Sequence, residues 1–187
     1  MDDDIEDLCL GAGLGMICRN RPANDRGFSH GGVAVVYRAS EVSLRRVKLH
    51  NPHNFEVIMA TGMLRGCARR VVVVASYLPP NYSVGRGRSA MEFTAGAVAE
   101  AKRRFDDPLL IVAGDYNQWG IAAHLADFPD LEEYQVGPTR AGHSIDKIFS
   151  NMGCPDDVGT VPPLETDHGD GVLPWQGRVT TGSPSLG

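Results

Sequence analysis

Apolar runs rich in valine and isoleucine recur along the chain, at Gly32 to Tyr37, Phe55 to Met63, Val71 to Tyr77, Leu109 to Ala113 and Ile145 to Phe149. Each is short and bounded by Gly, Pro, Asn or charged residues, which predicts β-strands. Val71-Val72-Val73-Val74 is apolar at every position, so alternation along a strand puts apolar groups on both faces and predicts a central strand covered on both sides.

A helix is predicted from about Ala90 to Phe105. Ser89 and Glu92 have capping-box spacing, Phe93, Ala97, Ala101 and Phe105 recur at the spacing of one helical face, and Lys102, Arg103 and Arg104 suit the negative end of the helix dipole. A shorter helix is predicted from Gly120 to Ala126. The Gly/Arg-rich segment Ser83 to Arg88 and the Pro-rich segment Pro155 to Pro163 read as loops. Hairpin-like strand pairs followed by strands alternating with helices give an α/β fold, a two-sheet β-sandwich flanked by helices. From Gly169 to Gly187 the chain is Gly-, Pro-, Ser- and Thr-rich without periodicity, so the domain is expected to end at His168 and a poorly ordered tail to follow.

The 187 residues are 42% hydrophobic and 22% charged, enough for one domain with a sizeable core. A formal net charge of −5 argues against a broadly basic nucleic-acid-coating protein but not against a nuclease that gathers cations in an acidic cleft. The four cysteines form no C-x-x-C pair and read as reduced thiols. No apolar run reaches about 18 residues and no basic leader precedes one, so neither a membrane partner nor secretion is expected, and an intracellular location, nuclear or cytoplasmic, is.

Four segments could carry chemistry. In Ile111-Val112-Ala113-Gly114-Asp115-Tyr116-Asn117 a buried strand ends in glycine and then offers a carboxylate and a carboxamide two residues apart. Such a carboxylate can orient or deprotonate a water, and such an amide can stabilise charge on a phosphate oxygen. The same segment also reads as a strand followed by an Asp/Asn turn. In Ala75-Ser76-Tyr77-Leu78-Pro79-Pro80-Asn81 a tyrosine ends a strand before two prolines, where its hydroxyl either caps the core or faces a phosphate. Ser144-Ile145-Asp146-Lys147-Ile148-Phe149-Ser150 puts an acid among apolar neighbours, where it needs a partner such as a histidine. Thr166-Asp167-His168 is an Asp–His pair suited to a hard cation and to acid–base work.

Taken together and in this order, these segments and His30-Gly31-Gly32-Val33-Ala34-Val35-Val36-Tyr37-Arg38 resemble the endonuclease/exonuclease/phosphatase superfamily, and within it the endonuclease domains of non-LTR retrotransposons. The likeness spans roughly residues 10 to 168. It implies a metal-dependent phosphodiesterase whose partner is DNA, with a reverse transcriptase domain downstream in the parent polyprotein. It also implies roles. Asp115 would position or deprotonate the attacking water, Asn117 would stabilise the pentacovalent phosphate, and Tyr77 would contact the scissile phosphate. Asp146 would hold the catalytic His168, and Asp167 would help bind Mg²⁺ or Mn²⁺.

Two departures accompany the likeness. The family has a strand ending in asparagine and then a strand-end glutamate, its principal metal ligand, before the Gly-Gly strand; the 187 residues contain neither, and the chain is expected to be the C-terminal three quarters of such a domain. At the other end His168 is followed by Gly169-Asp170-Gly171 instead of an apolar strand. Pro163-Leu164-Glu165-Thr166-Asp167 can therefore also be read as the acidic stretch that precedes the Asp–His pair in retroelement relatives. A phosphomonoesterase of the same fold and a non-catalytic remnant are the competing functions.

Other signals point nowhere. Gly11-Ala12-Gly13-Leu14-Gly15 has its third glycine one place early for a dinucleotide-binding loop and lacks a preceding strand. His50, His53, His124 and His143 have no metal-ligand spacing, and Arg45, Arg46, Lys48, Arg65, Arg69 and Arg70 read as solvated strand ends.

Overall fold

A computed structural model of the chain describes residues 9–21, 32–50, 55–134 and 145–152. In chain order the strands are β1 (Leu14–Asn20), β2 (Gly32–Arg38), β3 (Val42–Val47), β4 (Glu56–Leu64) and β5 (Arg70–Tyr77), then helix α1 (Val84–Arg104), β6 (Leu109–Asp115), a single-turn helix α2 (Ala122–Leu125), β7 (Glu132–Tyr134) and β8 (Asp146–Ser150). β1 and β2 make an antiparallel pair, and the others make a six-stranded sheet in the order β3-β4-β5-β6-β8-β7. Within it β5 and β6 are parallel, joined by α1 as the crossover, and the remaining neighbours are antiparallel.

Strand alternation sorts the core into two layers. Val57 and Met59 of β4, Val72 and Val74 of β5 and Leu110 and Val112 of β6 pack with Ala97, Val98 and Ala101 of α1. The intervening residues face the other way, where Ile58, Ala60 and Val73 meet Ile17, Val33 and Val35 of the β1–β2 pair. The four consecutive valines of β5 thus serve both layers, as their uninterrupted apolar pattern predicts. At roughly 1.5–3 kcal/mol for each fully buried valine side chain, this strand is a main source of cohesion between the layers. The expected α/β sandwich is what forms.

The helix begins earlier than the sequence pattern suggests. α1 starts at Val84, with Ser83 as N-cap accepting from the Arg86 backbone N–H at 3.3 Å, so Ser83 to Arg88 is the first part of the helix and not a loop. Ser89 and Glu92 are interior positions. The misleading feature is Gly87, which reads as a helix breaker but is set by packing: a Cβ there would lie 2.4 Å from the Trp119 ring. That ring is held by its own N–H, which donates to Pro79 O at 3.1 Å. The C-terminal signals hold, with Lys102, Arg103 and Arg104 in the last turn.

Three strands were not apparent from the pattern. β1 and β7 have no long apolar run, and β3 is an edge strand whose Arg45 and Arg46 are exposed. Charged residues of that kind protect a free sheet edge, so they mask the strand in the sequence. Cys9, Cys18 and Cys67 are free thiols. No helix among the described residues is long and apolar enough to cross a membrane. Cys154, the expected tail and the Asp167–His168 pair lie outside the described residues.

Two glycines of α1 should respond oppositely to one methyl group. Gly96 has nothing within 4 Å of a new Cβ, so Gly96→Ala should raise unfolding free energy by about 0.5–1 kcal/mol through helix propensity. Gly87→Ala should lower it by about 1–3 kcal/mol by overpacking against Trp119. Urea titrations of both variants, with Trp119 emission recorded for Gly87→Ala, give the comparison; an equal gain in both would show that Trp119 does not constrain the helix.

Candidate active site

The four central strands of the sheet carry polar residues in one row. Glu56 of β4 is the register partner of Tyr77 of β5, Tyr77 of Asp115 of β6, and Asp115 of Asp146 of β8. Register partners share a face of a sheet, and successive strands are about 4.8 Å apart, so the four side chains form a line roughly 15 Å long. It lies on the face covered by β1–β2, since Ile58 and Val73 of the same parity pack there. Glu56 is buried, and Tyr77, Asp115 and Asp146 are half-buried. A separate cavity of about 260 Å³, lined by Arg46, Val47, Lys48, Leu49, Val57 and Met59, includes the residues of β4 that point away from this row.

The row is fixed by the chain leaving β6. Gly114 lets β6 approach β5, because a Cβ there would fall 2.0 Å from Ser76 O. Beyond the sheet ladder, the Leu78 N–H donates to Asp115 O and the Tyr116 N–H to Ile145 O, both at 2.9 Å, so three strand ends are tied at one level. The chain then turns sharply. Asn117 has φ 48°, in the left-handed region that asparagine tolerates better than most residues. Its backbone N–H donates to Asp115 Oδ1 at 2.9 Å, and its Nδ2 donates to Leu78 O at 3.0 Å. The Asp/Asn turn and the candidate pair Asp115 and Asn117 are therefore one feature: the turn places the Asn117 carboxamide beside the Tyr77–Leu78 strand end.

Sequence reasoning overlooked Glu56 and Arg21. Arg21, just after β1, donates from Nε to Glu56 Oε1 at 2.6 Å, and its guanidinium carbon lies 5.4 Å from the Tyr77 ring centroid. The Glu56 side chain is only 5% exposed and that of Arg21 is 39% exposed. The hydrogen bond to Glu56 raises the Arg21 pKa most; burial opposes it, and the field of Glu56 and a hydrogen bond with Tyr77 add to it. Glu56 Oε2 is buried and has no hydrogen-bond partner among the described residues. One signal was present in the sequence, since Glu56 is an acid at the head of the buried strand Glu56–Leu64.

No protein-family model matches the chain, and no curated protein matches it. Solved structures do. The human Nocturnin catalytic domain matches with a TM-score of 0.63 and 16% identity over 80% of this chain and 65% of its own. The mannosyl-6-phosphatase Bt3783 of Bacteroides thetaiotaomicron matches with 0.54 and 14% over 80% of this chain and 66% of its own. An endonuclease/exonuclease/phosphatase family protein of Bacteroides thetaiotaomicron matches with 0.51 and 14% over 80% and 64%. The chain has the endonuclease/exonuclease/phosphatase fold. It spans about two thirds of the length of these structures, slightly less in each case.

An endonuclease/exonuclease/phosphatase fold implies a divalent cation, and the described side chains can be tested for it. Among the described residues no group of three His, Cys, Asp or Glu is arranged to hold a metal ion. Glu56 is engaged by Arg21, and Asp115 and Asp146 are only two. The described carboxylates do not by themselves make up a cation site.

Behind the row, Tyr116 anchors the turn. It is fully buried, and its hydroxyl is bonded to that of Ser76 at 2.8 Å. Burial pushes its pKa up to about 12, and the Ser76 hydrogen bond offsets part of the rise. The sign of the linkage follows directly. Below pH 10 Tyr116 is protonated in the folded and unfolded chain and its contribution is complete; between pH 10 and about 12 the unfolded chain loses the proton first and stability falls. Urea titrations should show this residue costing up to about 1.4 kcal/mol per pH unit above pH 10, a component missing from Tyr116→Phe. Identical alkaline slopes for the two proteins would mean that Tyr116 is accessible to solvent.

Proposed function

We propose that the chain is the larger part of a metal-dependent DNA endonuclease domain of the non-LTR retroelement type. The observation that carries this reading is the shared row of Tyr77, Asp115 and Asp146, with Asn117 folded beside it. Asp115 orients a water and takes its proton as the oxygen attacks phosphorus. Asn117 donates to the phosphate oxygen on which charge grows, and the Tyr77 hydroxyl donates to the same phosphate. The bond from phosphorus to the 3′ oxygen breaks, leaving a 5′-phosphate and a 3′-hydroxyl. His168, which Asp146 would align, would return a proton to the departing oxygen. Asp167 would help hold Mg²⁺ or Mn²⁺, which would supply charge neutralisation at the phosphate. The 3′-hydroxyl suits priming by a downstream reverse transcriptase domain.

A phosphomonoesterase is the second reading, favoured by the structural likeness to mannosyl-6-phosphatase Bt3783. Its reaction would use the same water and the same oxygen donors on a terminal phosphate.

The 187 residues contain no counterpart of the family's strand-end glutamate, so the purified chain should nick supercoiled plasmid with Mg²⁺ on the order of a thousandfold more slowly than a complete domain. Whatever nicking it shows should fall by roughly a hundredfold or more in Asp115→Ala. Nicking untouched by that substitution would sink the endonuclease reading. Turnover of a hexose 6-phosphate without nicking would replace it by the second one, and inactivity on both substrates at high enzyme concentration would favour the non-catalytic remnant.

A further inference from the structure

We propose that Arg21, clamped by Glu56 against the Tyr77 ring, is a substrate-binding residue that holds a backbone phosphate of a nucleic acid, and that Arg19 and Arg46 extend this contact along the strand. The proposal rests on the phosphate-ester reading of the row, and it names the chain's own counter-charge for the polyanion.

A buried carboxylate such as Glu56 is costly unless paired, so the pair could exist for neutralisation alone. Three observations go beyond that. The pair is lopsided, with Glu56 nearly sealed while the Arg21 side chain stays 39% exposed, so the cation faces outward from an anchored base. Arg21 is also tied to Tyr77, the row member whose hydroxyl faces the phosphate in the proposed reaction. A guanidinium fixed at Nε and stacked on an aromatic ring is preorganised, and a planar fork of N–H donors matches phosphate oxygens.

The third observation concerns direction. Arg19 and Arg21 share the parity of Ile17, which packs onto the sheet, and Arg46 shares that of Leu44 in the same layer. Arg19 donates from Nη1 to Val57 O at 3.3 Å, and its pKa is lowered by burial first and then by Arg46, with Glu56 opposing. The three arginines therefore run from the exposed edge strand β3 past β1 to the row. A single terminal phosphate would need one of them, whereas a nucleic-acid backbone presents successive phosphates along such a strip.

The test is binding of a fluorescent DNA duplex to the full 187-residue chain in EDTA, followed by anisotropy over a range of salt concentrations. Arg21→Gln should weaken binding about tenfold and reduce the slope of log K against log salt by about one, the signature of one lost phosphate contact. Because Arg21→Gln leaves the buried Glu56 unpaired, which destabilises the fold, the double variant Arg21→Gln with Glu56→Gln is measured too, with the same expected loss. Glu56→Gln alone, which frees but keeps the cation, should weaken binding while leaving the salt slope at the wild-type value. A double variant that binds with wild-type affinity and slope overturns the proposal, as does binding competed by millimolar inorganic phosphate with no dependence on duplex length, which would make the ligand a phosphate monoester. Since no cleavage is needed, duplex binding that does not depend on Arg21 overturns the clamp whatever the nicking assay gives, and absent nicking with Arg21-dependent binding removes the endonuclease reading and leaves the clamp standing.

Discussion

The geometry of this protein depends on the close approach of β5 and β6 at Gly114. With the backbone of Ser76 where a Cβ would have to be, only glycine lets the two parallel strands stay paired to their ends. The hydrogen bonds from Leu78 to Asp115 and from Tyr116 to Ile145 then close the level at which Tyr77, Asp115 and Asp146 stand abreast. Tyr116 fills the core directly behind, so the strand end cannot drift without opening a cavity in the packed layer under α1. A row built on three hydrogen-bonded strand ends is more rigid than one built on loops, which is what the proposed positioning of a water and a phosphate would require.

The sequence made the sheet legible where strands are buried on both faces and hid it where they are not. The valine run of β5 and the apolar core of β6 announce themselves, because a covered strand has no polar alternate positions. β3 alternates its arginines with Leu44 and Val47 at an edge, and its charge reads as surface. The start of α1 was hidden for a different reason: Gly85 and Gly87 look like a loop, yet Gly87 answers to the Trp119 ring, a contact thirty-two positions away that no local pattern encodes. Tertiary packing overrode local propensity there.

For the candidate site, Tyr77, Asp115, Asn117 and Asp146 could be singled out because each stands at or next to the end of an apolar run. Their alignment could not, since it depends on strand order and register. The two readings of Asp115-Tyr116-Asn117, turn or functional pair, looked like alternatives in one dimension. In three dimensions the left-handed turn at Asn117 is the means by which the carboxamide reaches Leu78. Arg21 and Glu56 were overlooked because their relation spans 35 residues and two sheets, and only the sandwich brings them together.

Three carboxylates in one row pose an electrostatic problem for any phosphate-bearing ligand. Asp115 and Asp146 are direct cross-strand partners, an arrangement that like charges oppose unless positive charge is close by. The whole chain carries a formal −5, so its long-range field repels a polyanion and attraction must come from local charge at the row. Glu56 by itself would deepen the problem. Paired with Arg21 it is instead a fixed base that turns a guanidinium toward Tyr77, so the buried acid serves to aim the cation. Because Glu56 is sealed within the sandwich and only Arg21 reaches solvent, their attraction is screened less by salt than that of a pair exposed on both sides, and the aim of Arg21 should persist at ionic strengths that weaken the ligand's own contact with it.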